Sequence, residues 1–190
     1  MGWSYTNVAL RGPSQQQVAK AVGERRGVVS PTTNNFTLFA DQEFDSHEEN
    51  KIITIAAQLS TRLACPALVI MEFDDDVLHY RLIEAGTVVD EYNSCPDYFD
   101  FAATNVPPRG PIGGNATRLA TVLGNPDSRE RIESILRKND ITLSAPKRHR
   151  DLAQAIGMPL FAVGFDYRAI QNDELPDGLQ TGDLVVTPLH

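Results

Sequence analysis

Residues Ala67–Tyr92 read ALVIMEFDDDVLHYRLIEAGTVVDEY, and this stretch decides the fold class. Ala67–Phe73 is a nearly continuous apolar run, the pattern of a central strand. Asp74-Asp75-Asp76 turns the chain. Val77–Glu84 then alternates, with Leu78, Tyr80 and Leu82 on one face and His79 and Arg81 on the other. Ala85-Gly86 has the composition of a hairpin turn, and Thr87–Tyr92 is a third strand. No helix separates these strands, so they form an antiparallel meander. A doubly wound parallel sheet, which needs a helix between successive strands, does not fit.

Towards the N-terminus, Ser46 and Glu49 have the spacing of a capping box. Ile52, Ile55, Ala56, Leu59 and Leu63 then recur on one helical face, and Cys65-Pro66 ends the helix. Further back, Tyr5–Arg11 reads as a strand. Ser14 and Gln17 open a short helix with Val18, Ala21 and Val22 on its apolar face, and Gly23 stops it. Gly27–Ser30 and Phe36–Ala40 read as strands flanking the turn-rich Pro31–Asn35. The order is β-α-β-β-α-β followed by two more strands. We therefore expect an α+β protein: a ferredoxin-like βαββαβ antiparallel sheet extended by a β-hairpin, with two helices on one face.

Towards the C-terminus, residues 93–114 are irregular, and Pro107 to Gly114 reads as a linker or long loop. Asn115 is positioned to cap a helix over Ala116–Leu123, with Gly124 as its stop. Asp127 and Glu130 form a second candidate capping box, for a helix to about Lys138. Ser144 opens another helix that ends near Gly157. Leu160–Val163 reads as a short strand, and the tail from Asn172 is acidic and turn-rich. This divides the chain into a sheet domain, 1–106, and a mainly helical C-terminal region, 107–190, packed on it. One single domain is the alternative.

The 190 residues suffice to bury a core without disulfide or metal staples, and a 42% hydrophobic, 22% charged composition argues against disorder. The net charge of −8 opposes nucleic acid, because phosphate contacts need a basic field and the densest basic run is only Lys147 to Arg150. No apolar stretch approaches the ~20 residues that cross a bilayer. No signal peptide opens the sequence, although Met1, Gly2 and Thr6 match the short myristoylation pattern. Cys65 and Cys95 are then expected as reduced thiols of a cytoplasmic protein.

Each candidate for chemistry has a plain structural counterpart. Asp74–Asp76 could gather oxygens for a hard cation, but nothing follows at EF-hand spacing, and a solvated hairpin tip explains it. His47-Glu48-Glu49-Asn50 begins like a zinc-protease helix, but Lys51 stands where the second histidine belongs. No metal site and no cofactor are expected. The glycine-rich Pro111–Thr117 lacks the P-loop lysine. Cys95 with His79 would make a thiol–imidazole pair only if the fold brings them together. The segment Asp90–Phe101 mixes four aromatic rings with four carboxylates, a composition suited to recognition. Its binding candidates are Asp90, Tyr92, Asn93, Ser94, Cys95, Asp97, Tyr98 and Phe99. Anchoring the loop onto the sheet is the competing role.

Cys65-Pro66 to Ile70, Asp74 to Leu78 with Tyr80, Val89 to Tyr92, Ser94-Cys95-Pro96 and Tyr98-Phe99 together resemble a family of uncharacterised bacterial proteins. Ala162-Val163-Gly164, Tyr167 and Leu175 to Leu179 share in the likeness. The resemblance implies a bacterial, cytoplasmic setting and assigns no activity.

The leading expectation is a non-catalytic binding or regulatory module that engages a protein partner, basic in keeping with the acidic chain, as in immunity-like proteins. The second is an enzyme with its site around Asp74–Asp76 or Cys95. The third is a structural homo-oligomer subunit.

Overall fold

Both faces of strand Ala67–Phe73 are buried: Leu68 and Ile70 look to one side, Ala67, Val69 and Met71 to the other. That is why the strand is apolar almost throughout, and it implies a covering layer on each side. The computed structural model describes residues 2–98, 110–139 and 143–188.

The strands are β1 (Tyr5–Arg11), β2 (Gly27–Val29), β3 (Phe36–Asp41), β4 (Ala67–Phe73), β5 (Val77–Glu84), β6 (Thr87–Asn93), β7 (Ile112–Gly113) and β8 (Val185–Thr187). The helices are α1 (Gln15–Val22), α2 (Glu49–Leu63), α3 (Ala116–Val122), α4 (Arg129–Arg137), α5 (Ala145–Ile156) and α6 (Tyr167–Gln171). One eight-stranded sheet runs β7-β6-β5-β4-β1-β3-β2-β8. Every pairing is antiparallel. The protein is thus α+β, with a sheet larger than a four-stranded ferredoxin unit.

Side-chain alternation sorts the core into two layers. Val8, Leu10, Val29, Phe39 and Val69 pack under α1 and α2 through Val18, Val22, Ile52, Ile55 and Leu59. On the other face, Ala9, Phe36, Leu38, Ile70 and Tyr80 meet Leu119, Ile132, Leu136, Leu152 and Ile156 of α3, α4 and α5. The C-terminal helices therefore complete the sheet's own core.

Local signals act where their partners are in reach. Ser14 and Gln17 form the capping box of α1, and Asn115 caps α3 through the Arg118 N–H. The β5–β6 turn is left-handed at both residues, Ala85 (φ 48°) and Gly86 (φ 77°), as a two-residue hairpin turn requires. At Gly86 a Cβ would also sit 2.3 Å from the Thr61 hydroxyl.

Several local expectations differ from the structure. The Ser46–Glu49 box does not form; α2 starts after Glu48 with no side-chain cap. Ser46 lies instead in a 3-10 turn over Gln42–Ser46 and donates to the Glu43 carbonyl at 2.8 Å. Asp127 likewise falls in a 3-10 turn, Pro126–Ser128, ahead of an uncapped α4. Leu160–Ala162 is a 3-10 turn and not a strand. It packs over the already complete sheet, with Asn7 Nδ2 donating to the Ala162 carbonyl at 3.0 Å and the Phe165 carbonyl at 2.9 Å. The tail supplies β8, which pairs with β2 at the far edge. Within the glycine-rich stretch before α3, Ile112 and Gly113 add a two-residue strand beside β6.

Candidate functional site

At one end of the sheet, three pieces of chain distant in sequence enclose a cavity of about 370 Å³. Its floor and walls include Trp3, Asp45, His47, Asp166, Arg168 and Glu174. The 3-10 turn after β3 supplies Asp45. Asp41 fixes that turn by accepting the Glu43 N–H at 2.9 Å, and Arg25 Nε holds its other oxygen at 2.6 Å. Phe44 anchors the turn in the core against Phe39, with centroids 5.9 Å apart, which leaves the next residue, Asp45, at the cavity. His47 follows in a left-handed conformation (φ 52°) that redirects the chain into α2. Its ring packs on Phe73, which in turn meets His79.

Asp166 caps α6. Its carboxylate accepts the Ala169 N–H at 3.1 Å and the Thr6 N–H of β1 at 3.4 Å, so α6 is tied directly to the sheet. Arg168 and Glu174 add one charge of each sign. Burial raises the Asp166 carboxyl above its usual range, against the pull of those N–H donors. Burial, and then the neighbouring Asp166, lift Asp45 to about 6, with Arg168 opposing. Among the described residues neither Asp45 nor Arg168 spends its charge on a hydrogen bond or ion pair. The indole of Trp3, the sole tryptophan, is 46% exposed at the cavity.

The segment Trp3–Ser4 is held by the acidic turn after β4. Trp3 N donates to Asp75 Oδ2 at 3.1 Å, Asp75 N donates to the Trp3 carbonyl at 3.0 Å, and Asp74 N donates to Ser4 Oγ at 2.9 Å. The Asp75 carbonyl also accepts the Ala145 N–H at the start of α5, at 2.7 Å. The triplet thus joins the N-terminal segment to the C-terminal layer. Among the described residues no group of His, Cys, Asp and Glu side chains is arranged to hold a metal ion.

The aromatic-acidic segment lies away from the cavity lining. Asp90 Oδ2 accepts from the Tyr80 hydroxyl at 2.7 Å and from Asn115 N at 2.9 Å. Tyr92 is buried, stacked on Tyr80 at 5.3 Å, and donates to the Leu136 carbonyl at 3.1 Å. Asn93 Oδ1 accepts the Cys95 N–H at 2.8 Å, and Ser94 Oγ accepts the Leu78 N–H at 2.8 Å. Cys95, Asp97 and Tyr98 are half-buried, and the Tyr98 hydroxyl donates to Asp76 Oδ2 at 3.1 Å. Phe99 lies outside the described residues. Burial, then Asp97 and Asp76, push the Cys95 thiol up, away from the thiolate. Asn93 is the polar side chain acting on the His79 ring, and among the described residues Cys95 and His79 form no hydrogen-bonded thiol–imidazole pair.

No spacing rule could have found the cavity. Asp45 and Asp166 meet across the fold, and the nearest sequence signal, the broken His47–Asn50 motif, concerns a different chemistry. No family model matches this chain, nor does any curated protein or solved structure.

Proposed function

We propose that the protein is a non-catalytic binding module whose cavity receives a cationic group, the guanidinium or ammonium of a basic protein partner. The observation that carries this reading is the exposed Trp3 indole on a wall it shares with Asp45, Asp166 and Glu174. An aromatic face beside carboxylates favours an organic cation through the ring quadrupole and charge together. The Asp45 carboxyl, raised by burial and by Asp166, is relieved by an incoming positive charge. Arg168 offers a second pole for a carbonyl or carboxylate of the same ligand. The net charge of −8 steers a basic partner towards the protein.

A site at Cys95 has less support, because a thiol between two carboxylates is a poor nucleophile. The hydroxyl–imidazole contact of Tyr5 and His149 lies inside the core, where no substrate reaches it. The β4-β1-β3-β2 order with α1 and α2 supports reading the sheet's centre as a ferredoxin-like unit, to which β5, β6 and the short edge strands are added. No helix among the described residues is long and apolar enough to cross a membrane. A bacterial, cytoplasmic setting follows from the sequence resemblance alone and stands with this proposal.

The test is a titration with a tetra-arginine peptide near neutral pH, read by Trp3 fluorescence, with tetra-glutamate as control. A saturable change with the basic peptide alone, lost in Asp45→Asn, is expected. An equal response to both peptides, or none to either, overturns the reading.

A further inference from the structure

Glu72 is the most anomalous side chain in the core. It is 0% exposed, and neither carboxyl oxygen has a hydrogen-bond partner. Strand alternation places it on the face of Leu68 and Ile70, against the C-terminal layer. Across the sheet it pairs with Tyr5 of β1 and Leu78 of β5. The Tyr5 hydroxyl and His149 Nδ1 of α5 share a hydrogen bond of 2.8 Å, leaving His149 Nε2 without a partner. A buried polar group without partners calls for an explanation. This one stands three residues before Asp75, whose carboxylate, N–H and carbonyl hold the N-terminal wall of the cavity and α5 together.

We propose that Glu72 is a buried proton switch: protonated, it permits the Asp75 clamp on Trp3, and ionised, it repels Asp75 and frees the cavity's N-terminal wall. This regulation rests on the binding reading above. The groups acting on Glu72 among the described residues are Asp75, Asp74 and Asp76 from the turn. Tyr5 and, through it, His149 and Arg150 face it from β1 and α5. His149 is buried and held neutral, so it offers Glu72 no countercharge. Burial, and Asp75 after it, push the Glu72 carboxyl up to about 8. The nearby Asp75 N–H lowers it in part, although its hydrogen bond at 3.0 Å goes to the Trp3 carbonyl. Ionising Glu72 therefore sets two like charges together, while the guanidinium of Arg150, an exposed residue of α5, faces them only across Tyr5. Displacing Asp75 relieves them, and that breaks both of its bonds to Trp3.

The experiment follows Trp3 emission and iodide quenching in the ligand-free protein as pH rises from about 6 to 9.5. The switch gives a red shift and increased quenching, with a midpoint near 8 as set by Glu72. Glu72→Gln abolishes the transition. Asp75→Asn keeps an acceptor for the Trp3 N–H but removes the like charge, so it too abolishes the transition. A flat profile in the parent protein, or a transition that persists in either variant, overturns the switch. Because no ligand is present, these outcomes are independent of the tetra-arginine titration, which tests the binding reading by itself.

Discussion

Glu72→Gln should stabilise the protein, and by an amount that depends on pH. The folded-state carboxyl titrates near 8 and the unfolded one near 4.5. A carboxyl raised on folding binds its proton more tightly in the native state. Stability then falls as pH rises between the two values, with a slope of about 1.4 kcal/mol per pH unit. Over the window from 4.5 to about 8 the parent loses on the order of 5 kcal/mol relative to the glutamine variant. Glutamine matches the shape of the protonated acid, so the two proteins converge at or below the unfolded value. Urea unfolding of both, followed by far-ultraviolet circular dichroism across this range, measures the difference directly. Curves that diverge above pH 4.5 and become parallel above about 8 fit the account. Curves parallel throughout would refute it, because they would mean that Glu72 ionises as freely inside the core as in the unfolded chain.

His149 carries the opposite sign. Its folded value is lowered by burial to about 3 from an ordinary 6.5, so its contribution is full above 6.5 and is lost on acidification. His149→Leu should flatten the decline of stability below pH 6.5 seen by the same unfolding series. Asn7→Ala leaves the Ala162 and Phe165 carbonyls without their shared donor and should cost about 2–3 kcal/mol, measured by urea midpoints. Gly86→Ala meets the Thr61 hydroxyl at a left-handed position and should cost about 1–2 kcal/mol by thermal unfolding. Cation binding should be confined between the Asp45 value of about 6 and the Glu72 value of about 8, so tetra-arginine affinity measured by calorimetry should weaken on both sides.

The parts of the fold legible in sequence were those fixed by neighbours along the chain. Val77–Glu84 alternates because its side chains project to opposite faces, and β5 has those same bounds. Ala67–Phe73 is apolar on both faces because helices cover both. Capping pairs were reliable only where the backbone reached them. Ser14 met Gln17, whereas a 3-10 turn took Ser46 away from α2. β8 has three residues, too few for a visible alternation, and it is a strand because β2 offers an open edge. The composition of Asp90–Tyr98 was readable, but its direction was not. Tyr92 turns inward because the Leu136 carbonyl of α4 waits there, a partner that nothing in the local sequence announces. The cavity was least legible, since Trp3, Asp45 and Asp166 become neighbours only when β1, the turn after β3 and α6 are assembled.

The most direct test of the cation-binding site is a crystal structure of the protein with the tetra-arginine peptide, grown near neutral pH. The account predicts a guanidinium hydrogen-bonded to Asp45, at about 2.7–2.9 Å, and lying against the Trp3 indole. A peptide bound along Asp74–Asp76 with the cavity empty would contradict it.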